Sequence, residues 1–107
     1  MSWEDEGDPQ RREGLGIKER TRTERPKKYK VLLHNDDYTT MEFVVHVLMH
    51  HFHKNHAEAT HVMLKIHHSG KGVAGIYTKD MAQTKVRQVT AEARVAGMPL
   101  KLSMEPE

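Results

Sequence analysis

The sequence predicts an α+β domain in which three helices cover one face of a three-stranded antiparallel sheet, in the order strand, helix, helix, strand, helix, strand. Three short stretches alternate apolar and polar residues, as half-buried strands do. Between them, apolar residues recur every three or four positions, as on one face of a helix. With 107 residues and 36% hydrophobic content, the chain has enough apolar residues for one small core but not for two.

Residues 1–26 are expected to be a flexible N-terminal extension, and residues 27–107 the folded domain. Apart from Met1, the only large apolar side chains of the extension are Trp3, Leu15 and Ile17, too few to offset the entropy lost on ordering. Acidic residues interrupt its basic ones, so a solvated tail is the simpler interpretation and a nucleic-acid-binding arm the alternative. The basic residues in question are Arg11, Arg12, Lys18, Arg20, Arg22 and Arg25.

The first strand is predicted to end in a polar turn. Tyr29, Val31 and Leu33 alternate with their neighbours as in a half-buried strand that stops at His34. Residues 35–37 are an asparagine and two aspartates, whose short side chains bond to their own backbone and interrupt regular ladders. A turn is therefore expected here.

Two helices are predicted to follow the turn. Thr39 and Glu42 have the spacing of a capping box and predict a helix over residues 40–53, and Asn55 with Glu58 predicts a second one that ends near His68. Their apolar faces are Met41, Val44, Val45, Leu48 and Phe52 in the first helix, and Ala59, Val62, Met63 and Ile66 in the second.

The second half of the chain predicts a strand, a helix and a closing strand. Residues 72–77 are too short and too β-branched for a helix, and Gly75 there allows another backbone to approach closely. Thr78 is expected to cap the third helix, which ends at Gly97 and Pro99. The buried positions are predicted to be Ala82, Val86, Val89 and Ala93 in the helix, and Leu100, Leu102 and Met104 in the last strand.

Nine histidines raise the alternative of a metal-binding module. His46 and His50 are four residues apart on one helix side, with His53 or Glu42 as a possible third ligand. No H-E-x-x-H motif is present, however, and a surface pair of this kind binds metal weakly. The sequence therefore predicts no metal and no other cofactor.

Composition excludes several further classes of protein. The chain has no cysteine, hence no disulfide framework and no cysteine-based zinc site. It has no credible nucleophile elbow and no glycine-rich phosphate loop, so an enzyme is not expected. No apolar run approaches the ~20 residues that span a bilayer, and the N-terminus lacks the apolar region of a secretory signal. These patterns predict a soluble, cytoplasmic protein.

Residues 35–44 place acidic and amide acceptors beside an apolar helix face that contains Met41. This combination suits a ligand that is cationic at one end and apolar at the other, such as the free amino end of a polypeptide. His67 follows Ile66 at the end of the second apolar stripe, where it is either a structural residue or a ligand-binding one. Methionines such as Met41 and Met63 fill cores and also line adaptable pockets.

The chain resembles the bacterial ClpS family over residues 27–105. Residues 35–44 read Asn-Asp-Asp-Tyr-Thr-Thr-Met-Glu-Phe-Val, a block highly specific for that family. The matching segments, in order and with the family spacing, are residues 29–45, 59–67, 75–78 and 84–86. The resemblance implies an adaptor that recognises N-terminal degradation signals and hands such substrates to the ClpA unfoldase, which feeds the ClpP protease. It also implies a small α+β domain with a flexible extension, acting as a monomer without nucleic acid or membrane.

The resemblance also implies a binding site and a partner surface. Asn35, Asp37 and His67 would bind the substrate's α-amino group, with Asp36 beside them. Asp80 and Lys85 would contact the unfoldase. The residues expected to line the pocket for the first side chain are Thr39, Met41, Val44, Met63, Ile66 and Leu100. In the family, the methionine matching Met41 is a gatekeeper against β-branched residues.

Two positions depart from the family pattern. Thr40 stands where the family usually has proline, which removes a rigid helix start. Ala74 replaces a common cysteine in the middle strand. Neither change is expected to alter the pocket.

Overall fold

A computed structural model describes residues 26–107, so the predictions for the extension, including its basic residues, lie outside the described part of the chain except at Pro26. The described elements follow the predicted order. They are β1 (Lys28–His34), α1 (Met41–Phe52), α2 (His56–Ser69), β2 (Lys71–Thr78), α3 (Lys79–Val95) and β3 (Lys101–Pro106). No helix within residues 26–107 is long and apolar enough to cross a membrane.

The sheet is antiparallel with β1 at its centre, in the strand order β2-β1-β3. The register of β1 against β2 shifts between Val31 and Leu32, which pair with Gly75 and Val73, so Ala74 is the extra residue of a β-bulge. A Cβ at Gly75 would lie 2.6 Å from the ring of Tyr77. The glycine therefore makes room for the Tyr77 side chain.

The core lies between the sheet and the three helices, as predicted. Val31 and Leu33 of β1 are fully buried. Each helix buries one side of its surface in this core. The buried helical residues are Val44, Val47, Leu48 and Phe52 of α1, Ala59, Met63 and Ile66 of α2, and Ala82, Val89 and Ala93 of α3. Val47 is 0% exposed although it was not predicted, while Met41 is 44% exposed. Val47 is buried because α1 contacts both α2 and α3, so that the buried face of α1 is wider than a single stripe.

The helix starts differ in how they are capped. The capping box of α2 is confirmed, because the backbone N–H of Glu58 donates to the Asn55 side chain at 2.8 Å and the Asn55 N–H donates to Glu58 at 3.0 Å. The capping box predicted at Thr39 is wrong. Thr40 is the N-cap of α1, and its hydroxyl accepts from the N–H of Phe43 at 3.1 Å. Thr39 is engaged elsewhere, in the turn that precedes the helix.

Candidate functional site

The turn between β1 and α1 is organised by Asp36. One carboxylate oxygen accepts from the N–H groups of Tyr38 at 2.8 Å and Thr39 at 2.7 Å, and the other accepts from the Thr39 hydroxyl at 2.7 Å. Partial burial acts to raise the pKa of Asp36, but these hydrogen bonds stabilise the charged form more strongly, so that its pKa lies below the usual value. Asp36 is therefore a charged residue whose hydrogen bonds hold the turn in place.

A backbone hydrogen bond joins this turn to the end of α2. The N–H of Asn35 donates to the carbonyl of Gly70 at 2.8 Å. Gly70 is in the left-handed conformation, with φ 91°, and its own N–H donates to Ile66. The bond brings the turn next to the last turn of α2, which carries His67. Two segments distant in sequence thus meet at one place.

A cavity of about 250 Å³ opens where these segments meet. Its floor belongs to the core, since Val44, Met63 and Ile66 are at most 9% exposed. Its polar lining comes from the turn and the end of α2. The lining residues are Asn35, Asp36, Asp37, Thr39, Met41, Val44, Met63, Ile66 and His67. Nine of the ten residues predicted for the amino-group and side-chain subsites are therefore brought together.

Leu100 is the predicted residue that is not among the lining residues. It is 5% exposed in the hydrophobic core and borders a different depression, between α3 and the start of β3. Leu100 and the floor residues Val44, Met63 and Ile66 belong to one core cluster. That Leu100 contacts a bound side chain therefore stays a prediction.

The cavity carries acceptors but no permanent cation. Asp36, Asp37 and the Asn35 side chain contribute oxygens, while no lysine or arginine is among the described lining residues. Within residues 26–107, the hydrogen bonds of the structure involve neither the carboxylate of Asp37 nor the ring of His67, and both residues are exposed. Such a site can bind a small cation that carries an apolar group.

Asp80 and Lys85 lie on α3, outside the cavity lining. Asp80 is exposed in the first turn. The ammonium of Lys85 donates to the carbonyl of His51 at 2.6 Å and lies 6.0 Å from the ring centre of Phe52 and 5.7 Å from that of Tyr77. Lys85 is thus partly buried against the end of α1, where a cation is favoured by the helix dipole. Sequence alone had suggested a solvated helix face.

Glu92 organises the histidines of α1. The Nε2 atoms of His46 and His51 lie 2.8 Å and 2.5 Å from different oxygens of its carboxylate. Hydrogen bonds from His51 and His46 lower the pKa of Glu92, against the opposing effect of burial. Within the described residues, no group of three or more histidines and carboxylates has the geometry of a metal site. Glu92 was not predicted, because it lies 41 and 46 positions from its partners.

Comparison with known proteins gives consistent matches. Residues 24–103 match the family model described as "ATP-dependent Clp protease adaptor protein ClpS". A ClpS adapter of Desulfatibacillum aliphaticivorans is 59% identical over 86 residues, covering 80% of this chain and 83% of the relative. The ClpS adapter of Deinococcus radiodurans is 55% identical over 89 residues, covering 83% of this chain and 79% of the relative.

A solved structure has the same fold. Agrobacterium tumefaciens ClpS2, bound to L-phenylalaninamide, superposes with a TM-score of 0.74 at 42% identity, covering 78% of this chain and 100% of that one. The family model spans well over half of the chain, and the relatives are similar along most of their length. The chain therefore belongs to the ClpS family of adaptor proteins of the ATP-dependent Clp protease.

Proposed function

We propose that this adaptor binds polypeptides that begin with a free α-amino group and a large hydrophobic residue, such as Leu, Phe, Tyr or Trp, and delivers them to a ClpA-type unfoldase. The observation that carries the proposal is the single cavity with an anionic and amide rim above an apolar floor. Each half of the ligand has a matching half of the site.

The rim suits an α-ammonium group. With an ordinary pKa of about 7.7–8.0, this group is mostly charged at neutral pH and offers three N–H donors. The oxygens of Asn35 and Asp37 and an imidazole nitrogen of His67 can accept from three directions. Asp36 adds negative charge, but its oxygens already accept from Tyr38 and Thr39. Asp37 is therefore the carboxylate available for direct contact.

The floor suits a large apolar side chain. Val44, Met63 and Ile66 form buried walls, and burial of a large side chain against them contributes on the order of 1.5–3 kcal/mol. Met41 is 44% exposed, in keeping with a gatekeeper at the mouth that disfavours β-branched residues. The ligand of the Agrobacterium protein, L-phenylalaninamide, has the two groups that this site would recognise, a free α-amino group and an aromatic side chain.

Delivery would use a surface separate from the cavity. Asp80 is exposed on α3, and Lys85 lies on the same helix beside the end of α1. These two residues would contact the N-terminal domain of the unfoldase, while the adaptor acts as a monomer. A bound substrate would then leave this surface free.

The direct test is a calorimetric titration with matched peptides. A peptide that begins with free Leu or Phe is expected to bind, whereas its N-acetylated twin, which lacks the charge and two donors, should bind about 100-fold more weakly or not at all. A third peptide with Ala at position one reports the contribution of the apolar floor. Equal affinity for the free and acetylated peptides would contradict the proposal.

Substitution of His67 provides a second test. In the proposed complex, a nitrogen of its imidazole accepts a hydrogen bond from the ammonium group. His67→Leu, which removes the acceptor, should therefore bind the peptide with a free N-terminal Leu about tenfold more weakly, while the protein remains folded by circular dichroism. A His67→Gln variant keeps an acceptor and should retain more of the affinity. Unchanged affinity of the His67→Leu variant would contradict the acceptor role of His67.

A further inference from the structure

A second apolar depression adjoins the candidate cavity. It has a volume of about 360 Å³ and lies between the first turns of α1 and α2. Its lining residues are Met41, Glu42, Val45, His56, Thr60 and Met63. Met41 and Met63 also line the candidate cavity, so these two side chains form a common wall between the two spaces.

The position of the depression follows from the course of α2. From His67, one helical turn back along α2 leads to Met63, and a further turn leads to Thr60 and then His56. With a rise of about 1.5 Å per residue, Thr60 is about 10 Å from His67 along the axis. A chain whose amino group lies beside His67 and which runs toward the start of α2 would therefore reach the depression within a few residues.

If the bound peptide is extended, its geometry determines which of its residues reaches the second depression. Successive side chains of an extended chain point to opposite sides, so the first and third point the same way, about 6.6–7 Å apart. If the first side chain enters the candidate cavity, the third points toward the same surface, beyond the wall made by Met41 and Met63. The second side chain points away from the protein.

The chemistry of the depression favours a long aliphatic side chain that ends in a cation. Met41, Val45 and Met63 offer apolar surface to the stem. Glu42 is exposed at the rim, no described salt bridge involves it, and no lysine or arginine is among the described lining residues. A lysine or arginine could bury its methylene groups and still place its charge beside Glu42 in water.

From this geometry and charge, we infer that the depression lined by Met41, Glu42, Val45 and Thr60 is a subsite for the third residue of the bound polypeptide, with preference for Arg or Lys. The inference rests on the proposed function and deepens it, because it names a second position in the substrate that the protein reads.

The test is a calorimetric series of peptides with free Leu at position one and Ala at position two, varied at position three. Relative to Arg, Met at position three should bind about threefold more weakly and Glu about tenfold more weakly. The same Arg-to-Glu change at position two, with Ala at position three, should have a clearly smaller effect. The preference for Arg over Met should decrease at 0.5 M salt, because exposed charges are screened.

Protein variants assign the preference to the depression. Glu42→Gln should bring the Arg and Met peptides to nearly equal affinity. Glu105→Gln, which neutralises an exposed carboxylate on β3, should leave their ratio unchanged. If the Leu-Ala-Ala peptide binds but the third residue has no effect, or has the same effect as the second, the inference is overturned and the proposed function stands. If no peptide with a free N-terminal Leu binds, both are overturned.

Discussion

The two ends of α1 place polar groups in opposite situations. At its C-terminal end the carbonyl of His51 accepts from Lys85, and the ring of His51 contacts Glu92, as does that of His46 from the middle of the helix. Beside its N-terminal end the carboxylate of Asp37 lies exposed at a cavity mouth and has no described hydrogen bond. The first set of groups holds α1 against α3. The second is free of described hydrogen bonds, and this difference is the reason that the proposed binding site is assigned to the N-terminal end of α1.

The largest expected effect comes from the open end. Asp37→Asn removes a charge without a change of shape, so affinity for a peptide with a free N-terminal Leu should fall about 10- to 100-fold. The unfolding midpoint should change little, because Asp37 makes no described hydrogen bond. Titration calorimetry and thermal denaturation measure the two quantities. A large loss of stability with unchanged affinity would show that Asp37 has a structural role and does not bind the ligand.

The adjacent carboxylate should behave differently. Asp36→Ala removes three hydrogen bonds in the turn and should lower the free energy of unfolding by about 1–2 kcal/mol at pH 7. The folded-state pKa of Asp36 is lowered, so its contribution is present above the unfolded pKa and is lost as the pH falls through the folded one. Urea denaturation should therefore show a difference between wild type and variant that shrinks in acid. A constant difference down to pH 2 would argue against this linkage.

At the closed end, Lys85→Met should cost about 1 kcal/mol of stability, since it leaves the His51 carbonyl without its donor and removes the cation from the rings of Phe52 and Tyr77. Lys79→Met is the matched control, because Lys79 is exposed at the start of the same helix and should change stability by less than about 0.5 kcal/mol. Equal effects of the two substitutions in urea denaturation would show that the Lys85 contacts contribute nothing.

The smallest effect is expected at Glu92, whose carboxylate is 35% exposed. Hydrogen bonds from His51 and His46 lower its pKa, so it stabilises the fold above its unfolded pKa, and this contribution is lost as the pH falls through the folded pKa. The free energy of unfolding of wild type should fall between pH 7 and pH 2 by more than that of Glu92→Gln, and the difference between the two losses should be less than about 1 kcal/mol. Glu105→Gln serves as the control. If the free energy of unfolding depends on pH in the same way for wild type and Glu92→Gln between pH 7 and pH 2, the charged carboxylate of Glu92 does not stabilise the fold.

Much of the fold was predictable because its signals are local. The Asn55–Glu58 capping box acts within a few residues, and the structure confirms it. The strand β1 is confirmed as well, but its alternation is not, because residues 31–33 are all buried. The motif of residues 35–44 led to the lining of the cavity for a similar reason, since most of the lining comes from that one segment. The burial of Val47 was missed because it depends on α1 packing against two helices at once.

The contacts that were missed join residues far apart in sequence. Lys85 meets the His51 carbonyl across 34 positions, and Glu92 meets His51 across 41. No periodicity within one helix can indicate which residue of another helix it will contact.

The hydrogen bond between Asn35 and Gly70 has a consequence for protein engineering. It involves only main-chain atoms, so side chains at the mouth can be exchanged while the separation of its two sides is preserved. Gly70, with a φ of 91° that other residues rarely adopt, is the weak point of that arrangement. A substitution there would shift one side of the mouth relative to the other and so alter specificity from a position that is not among the cavity's lining residues.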